Sequence, residues 1–264
     1  MPFVTSADGT RIGYSVIGSG PPLVLVDGAM CWRASGPATP LAEQLKDSFT
    51  VHTYDRRGRG ESGNTLPYAP AREVEDLQAV IGAAGGSASV YGISSGAALA
   101  LEAANAGSGI SKMVLYEAPF VVDATRPPVD AGYVRTMDHL VETGDNAGAI
   151  VHFMRRGVGV PAFGVFMMRL MGVMRKLAPV APTLPYDTAL TAPFQGGQPL
   201  PGDRWSGVTI PVLCIGGGKS DAWMQNAQRA IAEVLPAAEH RTLPGQNHMV
   251  APTAIAPFVK EFLA

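Results

Sequence analysis

The sequence contains little charge and few cysteines. Charged residues make up 16% of its 264 residues, where about 25% is usual for a soluble domain. The formal net charge is −2, which supplies no basic field for a nucleic acid or an anionic membrane, so we expect neither partner. Cys31 and Cys214 are far apart in the chain, which argues against a disulfide framework and a thiolate metal site. No other set of His, Cys, Asp and Glu has metal-ligand spacing, and we expect no metal.

The chain also lacks an uninterrupted hydrophobic segment that is long enough to span a bilayer. The most apolar stretch, residues 157–180, contains Pro161, Arg169, Arg175 and Lys176, whereas a spanning helix needs about 20 apolar residues. The first ten residues do not show the basic and then apolar pattern of a signal peptide. We therefore expect a soluble cytoplasmic protein. Since hydrophobic residues still make up 47% of the chain, we also expect one large core.

Short apolar runs alternate with helical patterns, which indicates an α/β fold with a mostly parallel sheet. Eight strands are predicted: Phe3–Thr5, Arg11–Ile17, Pro22–Val26, Thr50–Tyr54, Ala88–Tyr91, Lys112–Tyr116, Pro211–Ile215 and Glu239–Leu243. Five helices are predicted between them: Pro40–Asp47, Ala71–Ala84, Gly96–Ala106, Ala222–Leu235 and Thr253–Leu263. Asp8-Gly9 is a two-residue hairpin signal, so the sheet is expected to begin antiparallel.

More than ninety residues separate Tyr116 from Pro211, which is far more than a crossover needs. An apolar stripe at helical spacing predicts one helix in this interval; it consists of Phe163, Phe166, Met167, Leu170, Met171, Met174 and Leu177. We interpret residues 120–206 as an inserted helical cap, on a core of residues 1–119 and 207–264. The methionines form either the interior of the cap or the lining of a pocket, and Met30, Met167 and Met171 are the pocket candidates.

The strongest chemical motif is residues 92–96 (G-I-S-S-G), between a predicted strand and a predicted helix. G-x-S-x-G in this context predicts a nucleophile elbow, a sharp turn that exposes the central serine above the sheet. Ser94 is therefore the candidate nucleophile, and the Ser95 amide at the helix N-terminus would face developing negative charge. A serine needs a base within hydrogen-bond reach. His248, in the loop after the last predicted strand, is the candidate.

Together with two further segments, these features resemble the α/β-hydrolase superfamily. Residues 24–29 (V-L-V-D-G-A) are similar to its strand and His-Gly segment, and residues 54–62 (Y-D-R-R-G-R-G-E-S) to its D-x-R-G-x-G-x-S turn. The resemblance implies an eight-stranded hydrolase fold with a helical cap, a serine mechanism, and a second oxyanion donor at the Ala29 amide. The chain departs from the pattern at Asp27, where the family usually has histidine. A carboxylate there would weaken anion stabilisation unless it is paired, for example with Arg33 or Arg56.

Two residues are candidates for the acid that orients His248. The family usually supplies it after the penultimate strand, where this chain has Ser220 at the expected site and Asp221 one residue later. Some enzymes of this fold instead take the acid from the end of the strand that follows the nucleophile. Glu117 stands there, directly after the strand that ends at Tyr116. We favour Glu117, with Asp221 as the alternative.

The sequence thus predicts a serine hydrolase that acts on a small or medium apolar ester, thioester or related acyl compound. No cofactor is expected, because the G-x-G-x-x-G match at residues 58–63 is not followed by a helix pattern that would bind a pyrophosphate. Two alternatives stay open, since a fold does not fix a function. The same residues would serve a reaction without an acyl-enzyme, such as C–C bond hydrolysis, a lyase step or a natural-product tailoring step. A catalytically silent ligand-binding protein is the other alternative, raised by Asp27 and the displaced Asp221.

Overall fold

Residues 2–264, which the computed structural model describes, contain one eight-stranded sheet. Its strands are β1 (Phe3–Thr5), β2 (Arg11–Gly18), β3 (Pro22–Val26), β4 (Thr50–Tyr54), β5 (Ala88–Ile93), β6 (Ile110–Tyr116), β7 (Val212–Gly217) and β8 (Ala238–Leu243). The spatial order is β1-β2-β4-β3-β5-β6-β7-β8. Strands β1 and β2 pair antiparallel, β2 is antiparallel to β4, and all later pairs are parallel. The predicted eight-stranded, mostly parallel sheet with an antiparallel beginning is confirmed.

Helices cover both faces of the sheet. The α-helices are α1 (Ala38–Leu45), α2 (Pro70–Ala83), α3 (Ser95–Asn105), α4 (Tyr133–Glu142), α5 (Asn146–His152), α6 (Ala162–Leu170), α7 (Val173–Leu177), α8 (Leu184–Thr191), α9 (Ala222–Val234) and α10 (Pro252–Leu263). On one face α1 and α10 enclose a cluster that includes Leu23 and Leu25 of β3. On the other, α2, α3 and α9 pack on a cluster with Val24 and Val26. Alternate residues of one strand therefore face opposite layers, which explains why central strands such as β3 and β7 are continuous apolar runs.

The long interval between β6 and β7 holds α4 to α8, together with a π-helical turn at Phe153–Val158 and 3₁₀ segments at Ala178–Thr183 and Ala192–Phe194. These helices build a separate apolar cluster around Met137, Ile150 and Leu184. Met30, from the loop after β3, is buried in the same cluster and joins it to the sheet. The segment has its own small core, while the boundaries at residues 120 and 206 stay a prediction.

The structure has two helices where the sequence predicts one. Gly172 adopts a left-handed conformation with φ of +73°, and it separates α6 from α7. The apolar stripe is also not buried along its length, since Phe163 and Leu170 are 73% and 71% exposed. Of the helices in residues 2–264, none combines the length and the apolar character needed to cross a membrane.

Candidate active site

Ser94 lies in the sharp turn between β5 and α3. Its backbone has φ of +58° and ψ of −128°, a conformation that costs a residue with a side chain roughly 1–3 kcal/mol. The flanking glycines permit the turn: a Cβ on Gly92 would lie 2.7 Å from the Gly96 carbonyl oxygen, and one on Gly96 would collide with the carbonyl oxygen of Val26. The Ser94 amide donates to the carbonyl of Tyr116 at 2.9 Å. Strand packing and two glycines therefore hold the half-buried Ser94 above the sheet.

His248 and Glu117 meet in a hydrogen bond. Glu117 follows β6, its side chain is fully buried, and its Oε2 lies 2.9 Å from His248 Nδ1. Its other oxygen, Oε1, accepts from the Gly217 amide at the end of β7 at 2.7 Å. The loop before His248 is held in turn by the Tyr116 hydroxyl, which donates to the Asn247 carbonyl at 2.7 Å. Both carboxylate oxygens are thus occupied, and the rotamer of Glu117 is fixed by the end of β7 and by the loop that follows β8.

Asp221 lies elsewhere. It is exposed and occupies the position before the first residue of α9, where its side chain caps no backbone amide. The structure therefore brings Glu117, and not Asp221, to His248. Among the hydrogen bonds of residues 2–264, none joins the Ser94 hydroxyl to His248; such bonds are often long without substrate and shorten when it binds.

The loop after β3 passes directly beside the Ser94 side chain. A Cβ added to Gly28 would lie 2.8 Å from Ser94 Cβ and 3.4 Å from its Oγ, so only glycine fits without movement. Ala29 follows, and its amide is on the same short loop. Ser95 is the first residue of α3, where the amides have no acceptor within the helix. The two amides expected to bind an oxyanion therefore lie on segments that border Ser94.

A cluster of buried charges lies behind this turn, and sequence reasoning missed it. Arg56 binds Glu73 through Nε at 2.6 Å and Nη2 at 2.7 Å, and it binds Asp187 of α8 at 2.7 Å. Asp187 also accepts from Arg59 at 2.6 Å and from the Ser95 hydroxyl at 2.7 Å. Burial raises the pKa of Asp187, but the charges of Arg59 and Arg56 outweigh it and hold that pKa below its usual value. We call these five residues the Asp187 cluster.

Asp27 is buried, and no side chain of residues 2–264 forms an ion pair with it. Its Oδ1 accepts from the Ala38 amide at 3.1 Å, and its Oδ2 has no hydrogen-bond partner in the described part of the chain. The pairings considered from the sequence are wrong: Arg33 binds the Asp55 carboxylate at 3.0 Å, and Arg56 reaches only the backbone oxygen of Asp27, at 3.4 Å. Burial raises the pKa of Asp27 to about 7, against the opposing Ala38 hydrogen bond and nearby arginines.

The three pocket candidates lie in different surroundings. Met30 is 8% exposed and part of the apolar cluster around Met137, Ile150 and Leu184, Met167 is half-buried, and Met171 is 73% exposed. Two surface cavities, of about 330 and 150 Å³, are lined by other residues, and neither includes Ser94 or His248. A pocket lined by Met30, Met167 and Met171 stays a prediction. Residues 2–264 hold no group of three or more His, Cys, Asp and Glu side chains arranged to bind a metal ion.

Comparison with known proteins gives consistent matches. A family model described as "Alpha/beta hydrolase family" matches residues 18–261. An alpha/beta hydrolase from Sphaerobacter thermophilus is 45% identical, with a TM-score of 0.91 and full coverage of both chains. An enol-lactonase from Burkholderia xenovorans is 20% identical, with a TM-score of 0.73 over 99% of each chain. An esterase from Thermogutta terrifontis is 19% identical, with a TM-score of 0.66 over 99% of this chain and 97% of its own. At these identities the last two show similarity of fold alone.

Proposed function

Because the chain belongs to the alpha/beta hydrolase family, we propose that it is a cofactor-independent serine hydrolase acting through an acyl-enzyme. The observation that carries the proposal is the 2.9 Å bond between His248 Nδ1 and the buried Glu117 carboxylate, at the sheet edge where the elbow presents Ser94. A nucleophile, a base and an acid that orients the base are the parts that acyl transfer requires.

In the proposed reaction, Ser94 Oγ forms a bond to the acyl carbon while its proton passes to His248 Nε2. Glu117 accepts the Nδ1–H bond, so it keeps Nε2 free to take the proton and stabilises the imidazolium that results. The bond to the leaving group then breaks, and His248 returns the proton to that group. Water, deprotonated by His248, attacks the acyl-enzyme, releases the acid and restores Ser94.

We assign the stabilisation of negative charge on the substrate oxygen to the amides of Ala29 and Ser95. Preorganised amides in a site without bulk water stabilise such an oxyanion strongly, because they need no reorganisation during the reaction. The lack of a Cβ at Gly28 supports this assignment, since it lets the backbone of the loop approach Ser94 closely. The N-terminus of α3 adds its positive dipole end at the same place.

The proposed substrate is a small or medium apolar ester, thioester or related acyl compound. The support lies in apolar side chains outside the sheet: Met30 is buried in the apolar cluster around Met137, and α6 presents Phe163, Phe166 and Leu170 largely exposed. Met249, next to His248, is 86% exposed. Apolar groups of this kind bind hydrocarbon parts of a substrate by removing them from water.

A fluorophosphonate probe and short p-nitrophenyl esters test the proposal. The wild-type protein should be labelled at Ser94 and should hydrolyse the esters, while Ser94→Ala should lose both. Ser220→Ala is the matched control, because the Ser220 hydroxyl lies at the same sheet edge and makes no hydrogen bond in the described chain. Labelling without ester turnover would favour a reaction that forms no acyl-enzyme. If folded protein shows neither labelling nor turnover, the proposal is refuted and a ligand-binding role is left.

A further inference from the structure

The Asp187 cluster connects a cap helix to both sides of the expected oxyanion site. Asp187 Oδ1 accepts from the Ser95 hydroxyl and from Arg56 Nη1, each at 2.7 Å, and Oδ2 accepts from Arg59 Nη2 at 2.6 Å. Arg59 then donates through Nη1 to the Gly28 carbonyl at 2.8 Å. The Asp187 carboxylate of α8 therefore binds Ser95, the residue after the candidate nucleophile, directly. It reaches the loop after β3 through Arg59.

The bond from Arg59 to Gly28 determines more than the position of a carbonyl. The C=O of Gly28 and the N–H of Ala29 belong to one planar trans peptide, in which the two groups point in opposite directions. When Arg59 holds the carbonyl on its side, the Ala29 N–H must point to the other side. Gly28 lies against the Ser94 side chain, so that direction decides whether the amide faces the reacting oxygen.

Without the bond from Arg59 to Gly28, the direction of the Ala29 amide would be free to vary. Residues 27–32 form a loop outside regular secondary structure, and Met30 adopts a left-handed φ of +57°. The Ala29 amide makes no backbone hydrogen bond of its own in the described residues. Arg59 is itself positioned from the cap, because its Nε donates to Thr183 Oγ1 at 3.0 Å in addition to the bond with Asp187.

We propose that Asp187 is a positioning residue for the oxyanion hole, which sets the directions of the Ala29 and Ser95 amides through Arg59 and the Ser95 hydroxyl. The inference rests on the proposed acyl-transfer function. It assigns a role in the reaction to a cap residue that does not itself contact the substrate.

Asp187→Asn is the direct test. The substituted amide must place an NH₂ group toward one of the donors that now share the carboxylate, so one of these contacts is lost. The change also leaves one more uncompensated positive charge near the site, which by itself would strengthen binding of an anion. A fall in turnover would therefore report lost amide orientation and not lost electrostatic attraction.

The matched control is Asp76→Asn. Asp76 is as buried as Asp187, and it forms the same kind of ion pair, with Oδ2 and Oδ1 each 2.7 Å from Arg57 nitrogens. Among the hydrogen bonds of residues 2–264, none joins Asp76 to Gly28 or Ser95. Both variants should lower Tm, since each breaks a buried ion pair. Assays are run at a temperature well below the Tm of the less stable variant.

For Asp187→Asn we expect kcat on a p-nitrophenyl ester to fall about 10- to 100-fold, below the loss of roughly 10²–10³ that removal of an oxyanion donor produces. KM should change less than about threefold, and the inhibition constant of a trifluoromethyl ketone, which forms an oxyanion on Ser94, should rise by the same factor as kcat falls. Asp76→Asn should keep wild-type kcat and inhibition within about twofold.

A milder variant keeps the test decisive if Asp187→Asn does not fold. Ser95→Ala retains the amide and removes only the hydroxyl that binds Asp187, and kcat should fall about three- to tenfold with the same rise in the inhibition constant. Unchanged kcat and ketone inhibition in folded Asp187→Asn or Ser95→Ala, or equal losses in Asp76→Asn, would overturn the inference. If wild-type protein neither hydrolyses the ester nor reacts with a fluorophosphonate, the proposed function itself is wrong.

Discussion

Replacing Glu117 by glutamine should disable His248 while preserving the fold. In the native protein both carboxylate oxygens accept hydrogen bonds, from the Gly217 amide and from His248 Nδ1. Glutamine offers one accepting oxygen and one NH₂ group. If its oxygen stays on Gly217, the NH₂ faces Nδ1, which must then lose its proton to Nε2. The imidazole is left in the tautomer that cannot accept a proton from Ser94.

The size of the expected loss in kcat/KM follows from the two orientations that the glutamine side-chain amide can adopt. Reversing it restores the correct tautomer but leaves the buried Gly217 amide unpaired, at a cost of about 1–3 kcal/mol, which corresponds to roughly a 5- to 150-fold loss. Glutamine also lacks the charge that stabilises the imidazolium, and two charges about 4 Å apart near a surface interact by about 4 kcal/mol. His248 is 39% exposed, so solvent screening reduces this second contribution. We expect kcat/KM to fall by about 10³-fold overall.

Steady-state hydrolysis of a p-nitrophenyl ester, measured with Glu117→Gln and Asp221→Asn side by side, checks this expectation. Asp221 is exposed, so Asp221→Asn should remain within about twofold of the wild type. Thermal unfolding of both variants verifies that the protein under assay is folded. If Asp221→Asn lost turnover and Glu117→Gln kept it, the role assigned to Glu117 would be refuted.

Two further outcomes concern stability. The pKa of Asp27 is raised to about 7 in the folded protein, so between about pH 4 and pH 7 the unfolded chain loses a proton that the folded chain retains, and stability falls as pH rises. This fall in the free energy of unfolding is on the order of 4 kcal/mol, and Asp27→Asn should remove it. Urea unfolding at pH 4, 5.5 and 7 measures it, and an unaltered pH profile in the variant would contradict a raised pKa. Ser94→Gly relieves the positive φ of the elbow and should raise Tm by about 2–4 °C in calorimetry, while Ser94→Ala should not; an equal effect of the two substitutions would show that the turn is unstrained.

The sheet and the elbow were predictable because local patterns determine them. Strands buried on both faces are continuous apolar runs, and the predicted strand Pro22–Val26 has the same bounds in the structure. The G-I-S-S-G segment places glycine at the two positions where a Cβ would meet the backbone. The choice of Glu117 over Asp221 as the residue that meets His248 rested on chain position and on the resemblance to enzymes of this fold that take the acid from this strand. The geometry agrees with it, while its role in catalysis stays a proposal.

The helices between β6 and β7 and the Asp187 cluster were not predictable in the same way. A stripe of apolar residues predicts a helix but does not reveal that Gly172 will interrupt it or that solvent will contact the stripe. The ion pair between Arg56 and Asp187 joins residues 131 positions apart, and no local pattern marks Asp187 as the partner. The environment of Asp27 likewise depends on which carboxylates occupy the arginines around it.

The Asp187 cluster also divides the helices between β6 and β7 into two groups that differ in how they can move. Helix α8 is bound to the body of the protein by a carboxylate shared between two permanently charged guanidinium groups, and breaking such a buried pair costs about 3–5 kcal/mol. Helices α6 and α7 make no ion pair in residues 2–264, and Gly172 forms a joint between them. We expect any movement that admits a ligand to occur in α6 and α7, while α8 stays fixed to the body of the protein.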